Sequence, residues 1–531
     1  MHQASAPLIF TPMSSDPLTI PPSPHVSATI HIGASSISLL IFHEISPGSV
    51  EPIDFLEQSV PIAHDVFSRG KLTRSTVERC VTILTRYKQS IAELAGSPEA
   101  PTIRVVATNI LSESTNKEIF LNRIHISCGL DVEILDDGEM TRLIYLKTRR
   151  RLSDTPSMRS LNTLVVHVGP GNTRAILLQK GRITSYSSYR MGVHRTGENI
   201  ANNERSNSYR KSVRAQIKGP LDSLVEEFKD ADIEHIVLIG YEIQLIRDFI
   251  KHHKDKSCSE QALTDLCDKV TTKDDDEIVQ TYRVDYQTAE AILPALEINL
   301  AIVNAFEARR VHIPESDYEQ GLLHDLNITP SLSGEFTKEV IRSAEKIAKK
   351  YRVHLPHARQ VSKLSLQLFD QLQDLHKLSN HDALLLHIAS ILHECGGFIS
   401  NRAHHKHSQY IILNSEIFGL PRADVEMVAL ITRYHRNSLP KPSHPIYKDL
   451  NMQNRMRVSK LASLLRIADA LERSHTNRVT ELEIRVSRRR LHIYLPRVAD
   501  AHTERLAMKS KGDLFENIFG LEINLVEDKL S

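Results

Sequence analysis

Short apolar runs broken by glycine turns fill the first three hundred residues, and a three- and four-residue apolar spacing fills most of the remaining chain. From Ser27, VSATIHIGASSISLLIF predicts strand, glycine turn, strand, and EPIDFLEQSVPI a third strand. Helical spacing runs through Ser75–Leu94, IRVVATN and DVEILDD read as strands, and a helix comes next at Met140–Lys147. The run TRRRLSD around Arg149 reads as a connection. A second unit then repeats the order: LNTLVVHVGPGNTRAILLQKGRITSYSSYRMG predicts three strands with a glycine turn after the first, and IEHIVLIGYEIQLIRDFI predicts strand, turn, helix. From Ser331 the pattern is helical, as in a bundle, until LEIRVSRRRLHIYLP predicts a hairpin about Arg488–Arg490, a helix near Thr503–Lys509 and the strand LEINLV.

The stretch Leu384–Ser408 stands out within the helical part. An almost wholly apolar run ends in His393-Glu394 and Gly396-Gly397, and His404, His405 and His407 lie one loop later. Burying an imidazole and a carboxylate unpaired would cost several kcal/mol. The pattern therefore implies a metal, a paired cation or a wet cleft at that helix end.

The two glycine turns occupy the same place in the two α/β units. His31-Ile32-Gly33-Ala34-Ser35-Ser36 and His167-Val168-Gly169-Pro170-Gly171-Asn172-Thr173 each close a first strand and turn into a second. A repeat of this kind predicts two similar lobes with their turns facing one cleft. Backbone N–H groups of Gly33, Gly169 and Gly171 can approach phosphate oxygens, with Ser35, Ser36, Asn172 and Thr173 as further donors. The competing reading of each turn by itself is an ordinary hairpin.

Composition narrows this little. The 531-residue chain is 41% hydrophobic and 25% charged, with a formal charge of +1, so neither a nucleic-acid nor a membrane partner is expected from charge. Five cysteines without a C-x-x-C pair predict no disulfide framework and a cytoplasmic location. No apolar run is expected to span a membrane. Residues 1–26, rich in proline and serine, read as a disordered tail.

Together, IHIGASS, VVATNILSESTN, ILDDGEMTRLIY, VVHVGPGNT and YRMG, then HHKHSQYIILNS, RYHRNSLPK and LLRIADALERSH, resemble the exopolyphosphatase/guanosine pentaphosphate phosphohydrolase (Ppx/GppA) family. The resemblance implies duplicated α/β actin-like (ribonuclease H-like) lobes at 27–150 and 151–325. After them it implies a mainly α HD-type domain at 326–478 and a small α+β piece at 479–531. It implies a homodimer, and inorganic polyphosphate or guanosine penta/tetraphosphate as the partner. The chain departs from the family pattern where charge is needed. His31 and His167 stand at the two aspartate positions that look like divalent-cation ligands, Pro170 replaces a flexible glycine, and Ser112 replaces an arginine. Met140 stands at the general-base glutamate, with Glu139 just before it.

Hydrolysis of a phosphoanhydride needs charge neutralisation, an in-line water and a base to orient it. Glu139 is the candidate base, provided the helix start is shifted by one residue. His31 and His167 read as polar lining or phosphate donors, or as ligands bridging a softer ion such as zinc. The HD pattern of the resemblance maps onto His357, His393, Glu394 and Asp469 as ligands of a divalent metal, magnesium or manganese, with zinc or iron also suited. The alternative is a remnant in which His393 and Glu394 pair with Arg or Lys. His405, His407 and His435 are expected to pack or meet phosphate, and Lys406, Arg433 and Arg436 form either a polyanion track or a solvated face. Three functions are compatible with these residues: an exopolyphosphatase-like hydrolase, a non-catalytic sensor of the same ligands, or a phosphohydrolase working only from the helical metal centre.

Overall fold

The computed structural model describes residues 25–46, 49–95, 101–153, 161–198, 200, 206–253, 257–308, 310–314, 322–323, 334–436 and 438–527. The proline-rich tail lies outside them, save for the strand residues His25 and Val26.

The first lobe is a five-stranded sheet of β1 (His25–Ile32), β2 (Ser36–Ser46), β3 (Ser49–Ser59), β4 (Thr102–Ala107) and β5 (Val132–Ile134), ordered β3-β2-β1-β4-β5. Three antiparallel strands are followed by two parallel ones. The second lobe repeats the plan with β6 (Thr163–Val168), β7 (Thr173–Gln179), β8 (Arg182–Tyr189), β9 (His235–Ile239), β10 (Ser257–Cys258) and β11 (Arg310–His312), ordered β8-β7-β6-β9-β11-β10. The duplication extends to register. His31 faces Ser38 across the antiparallel pair and Val106 across the parallel one, and His167 faces Arg174 and Ile239 in the same way. Strands buried on both sides read as continuous apolar runs, which is why LVVHV and HIVLI carry so little polar alternation.

Two local expectations change. The helix expected at Met140–Lys147 spans Asp137–Ser153, so the basic run around Arg149 is its last turns and not a connection. Tyr286–Phe306 is long and apolar enough to cross a membrane by length and composition (mean hydropathy 1.4), contrary to the sequence expectation. Of its apolar window, 72% is buried inside the second lobe, as expected of a core helix.

The helical part continues as Gly334–Lys350, Leu355–Gln371, Asn380–Leu392, His404–Leu413, Arg422–Arg433 and Met452–Leu471. A three-stranded sheet, β12 (Glu483–Val486), β13 (Arg490–Leu495) and β14 (Glu522–Glu527), closes the chain with helices His502–Lys511 and Asp513–Phe519 between its last two strands. The bundle core is continuous with Val165 and Ile176 of the second lobe and with Leu143 and Ile144 of helix Asp137–Ser153. That helix begins tightly docked on the bundle: a Cβ on Gly138 would overlap the Leu420 carbonyl oxygen, so only glycine fits.

On the second lobe His235 and His312 stack with ring centroids 5.0 Å apart and share a 2.8 Å Nδ1–Nε2 hydrogen bond. Burial, then the neighbouring imidazole and Arg310, pushes His312 down to about 4, and burial lowers His235 as well. Both are thus neutral when folded and take up protons on unfolding below their ordinary value of about 6.5. Stability is expected to be full above that value and to fall as pH drops from 6.5 toward 4. A melting temperature that stays flat between pH 7 and pH 5 would contradict this, and His312→Gln should flatten the fall.

Candidate functional site

The two glycine turns meet in one cleft between the lobes, lined by His31, Ser35, Ser36, Met140, His167 and Arg174, among others. Each turn is built the same way. The Gly33 N–H donates to the Ser36 carbonyl at 2.8 Å and the Gly169 N–H to that of Asn172 at 3.0 Å. Each is backed by the segment after the third strand: Ala63 and Val60 donate to the carbonyls of Ala34 and Ser35, and Val193 and His194 to those of Gly169 and Pro170. This tight backing needs Gly192, whose Cβ would overlap the Gly171 backbone. The carbonyls are thereby occupied, whereas the N–H groups of Ala34, Ser35, Gly171 and Asn172 have no acceptor among the described residues. Ala34 and Ser35 line the cleft and offer it their backbone donors, whereas Gly171 and Asn172, expected from sequence to meet phosphate, are not among its lining residues.

The side chains sort differently. Ser36 Oγ donates to Glu57 at 2.7 Å, and Thr173 Oγ1 to the Met191 carbonyl, so both hydroxyls are spent on the protein. Ser35 keeps its hydroxyl. Gly33 and Thr173 hold the turns in shape without lining the cleft. His31 and His167 both line it, but among the described residues no third ligand atom joins them at metal-binding distance.

Glu139 is not at the cleft. Its carboxylate pairs with Arg142 through contacts of 2.6 and 2.9 Å and lines a separate cavity against the helical domain. The one-residue shift it required does not occur, because Asp136 accepts from the Glu139 N–H at 2.9 Å and fixes where the helix begins. Neighbouring helical residues point about 100° apart, so Met140 faces the cleft instead.

Two charged residues of the cleft were not singled out from sequence. Arg174, 4% exposed, pairs with Asp137 while its Nε has no partner. Ser112, where the family resemblance expects an arginine, lies exposed on the short 3-10 helix Asn109–Glu113. The signal for Arg174 was its register, opposite His167 on an otherwise apolar strand. Glu242, buried at the end of the parallel strand β9, is the acid among the lining residues.

In the helical domain, sequence-distant residues converge. Helix Asn380–Leu392 starts with a capping box between Ser379 and Asp382 and ends at Leu392, delivering His393 and Glu394 to its exit. Gly396 is required there because helix His404–Leu413 passes directly over it, with the His404 carbonyl oxygen where a Cβ would stand. Donor atoms of His357, His393 and Asp469 lie within 4.8 Å of one another, and those of His357, Glu394 and His475 form a second such group. His475 was not anticipated as a member. The imidazoles make a continuous row: His475 stacks on His357 at 3.8 Å, His357 lies 5.3 Å from His393, His393 5.2 Å from His435, and His435 5.3 Å from His404. Burial, then His393, pushes His357 down to about 3, and burial holds His435 well below its ordinary value. These imidazoles are therefore neutral at pH 7, with lone pairs to offer.

Asp469 is already paired. Burial opposes its ionisation, but Lys511 sits directly on its carboxylate and holds it well below the usual carboxylate range. Fully buried Arg466 fixes Lys511 there by donating to its carbonyl at 2.7 Å and pairing with Asp513. A paired cation thus stands at Asp469, whereas among the described residues no lysine or arginine pairs with His393 or Glu394. Arg433 is half-buried and bonded to Gln409 at 2.8 Å, while Arg436 is exposed.

The profile of the Ppx/GppA phosphatase family matches residues 41–328, more than half of the chain, and that of Ppx/GppA phosphatase domain III matches residues 341–510. A guanosine-5'-triphosphate,3'-diphosphate pyrophosphatase of Aliivibrio fischeri is 23% identical over 477 residues, covering 88% of this chain and 92% of that protein. One from Vibrio vulnificus is 23% identical over 454 residues, covering 82% and 86%. Among solved structures, an exopolyphosphatase from Cytophaga hutchinsonii overlays with a TM-score of 0.48 at 16% identity, covering 57% of this chain and 97% of that one. The Aquifex aeolicus Ppx/GppA family member overlays at 0.43 and 21%, covering 58% and 98%. With two register-matched lobes and both profiles in chain order, this chain belongs to the Ppx/GppA phosphatase family.

Proposed function

We propose that the protein holds inorganic polyphosphate, or the phosphate chain of guanosine penta/tetraphosphate, between its lobes and hydrolyses a terminal phosphoanhydride there. The observation that carries this reading is the interlobe cleft, which the unpaired backbone N–H groups of Ala34 and Ser35 share with His167 and Arg174. Arg174 adds the positive charge, and the imidazoles of His31 and His167 line the cleft with it. A carboxylate is needed to orient the attacking water, and Glu242 is the acid that lines the cleft. If the family's aspartates bind a divalent cation, His31 and His167 fit magnesium poorly, because that ion prefers oxygen ligands. The chain's own donors must then neutralise the phosphate.

Purified protein incubated with polyphosphate and, separately, with guanosine pentaphosphate should release inorganic phosphate, and Glu242→Gln should abolish the release. Tight binding without release by the wild type would make the protein a sensor of the same ligands.

Glu139→Ala should leave phosphate release unchanged. It should destabilise the fold by about 3 kcal/mol in urea titration, because a largely buried guanidinium loses its partner. A collapse of activity without loss of stability would return Glu139 to the catalytic role.

The helical domain supports a second reading, an HD-type metal-dependent phosphohydrolase built on His357, His393, Glu394 and Asp469. Donor atoms of the first, second and fourth of these lie within 4.8 Å of one another, which favours it, and this reading requires Lys511 to leave Asp469. Phosphate release lost in His393→Ala and kept in Glu242→Gln would select it over the cleft.

A further inference from the structure

The two overlapping ligand groups of the helical domain are not equivalent. Both contain His357, which is fully buried and has no hydrogen-bond partner on either ring nitrogen. A buried polar atom left unsatisfied is costly, so a histidine carrying two such atoms calls for a bonding partner. The inner group completes itself with His393 and Asp469, but the Lys511 ammonium already sits on Asp469. A divalent ion placed there would have to face or expel a cation that buried Arg466 helps to lock in position.

The outer group has no such obstacle. Glu394 lies 3.9 Å from His357 Nε2, and among the described residues it is paired with no lysine or arginine. Its third member, His475, lies exposed in the turn after helix Met452–Leu471, with φ +55°. Its ring now stacks on His357, and being at the surface it can turn a nitrogen inward when an ion arrives.

We propose that the helical domain binds a borderline divalent ion such as zinc on His357, Glu394 and His475, at the mouth of the histidine row, with Asp469 excluded from coordination by Lys511. Two imidazoles and one carboxylate suit zinc better than magnesium and leave a fourth position open. The inference is independent of hydrolysis in the interlobe cleft.

The test is a calorimetric titration of the chelator-stripped full chain with Zn²⁺, paralleled by the visible spectrum of Co²⁺. One ion per chain is expected. His475→Ala and Glu394→Gln should each weaken binding by about ten-fold or more and alter the Co²⁺ absorption. Asp469→Asn should bind as the wild type does. Because that variant leaves Lys511 buried without a partner, the Asp469→Asn/Lys511→Met pair serves as its folded counterpart, checked by circular dichroism. No binding by the wild type, unchanged binding by His475→Ala, or loss of the ion in the Asp469 variants would each overturn the proposal.

Discussion

Arg174→Met is expected to raise the KM for polyphosphate about ten- to a hundred-fold, the range of 1.5–3 kcal/mol for a hydrogen bond to a charged group. The side chain is nearly buried on β7, where register sets it beside His167, and its guanidinium is the cation among the residues that line the cleft. Its Nη2 is taken by Asp137, while Nε is buried without a partner. Asp137 therefore aims the group without using all of its donors. In a cleft shielded from water a charge-assisted bond to phosphate is worth more than one at the surface. Arg174→Lys should recover part of the loss, because it keeps the charge and loses the planar fork. Equilibrium binding and steady-state phosphate release should move together. Unchanged affinity in a folded Arg174→Met would mean that the phosphate chain does not enter between the turns.

The second large effect is a gain. Met140→Glu should raise the rate of phosphate release about 10²-fold, at the lower end of what a positioned general base contributes. Met140 occupies the cleft-facing position of helix Asp137–Ser153, and the family resemblance puts the base there. A carboxylate at a site only 9% exposed would be raised toward neutrality by burial, which suits a base working near pH 7. The measurement is kcat on polyphosphate, with binding and melting temperature tracked in parallel. A folded variant that binds normally and is no faster would show that the missing carboxylate is not what limits this cleft, and would favour the sensor reading.

Much of this was legible in the sequence alone. The position of His31 and His167 at the ends of two like strands, each followed by a glycine turn, implied the duplicated lobes and their shared cleft, because strand–turn–strand patterns are local. The helices of the bundle were equally plain, since apolar periodicity is a property of one helix at a time. The hairpin around Arg488–Arg490 and the strand after it were readable for the same reason.

What only the tertiary structure decided depends on direction and on distant partners. Sequence could place Glu139 and Met140 side by side but not say which faced the cleft. That was settled by Asp136 capping the helix and by Gly138 docking against Leu420, more than two hundred residues away. Likewise the sequence presented Asp469 as a metal ligand, whereas Lys511, from a later helix held in place by Arg466, sits on it. His475 gave no local sign of function, and Arg174 showed only its place opposite His167 on a mostly apolar strand. A side chain acquires that role from what long-range packing brings within a few ångströms, and no short-range pattern in the chain records it.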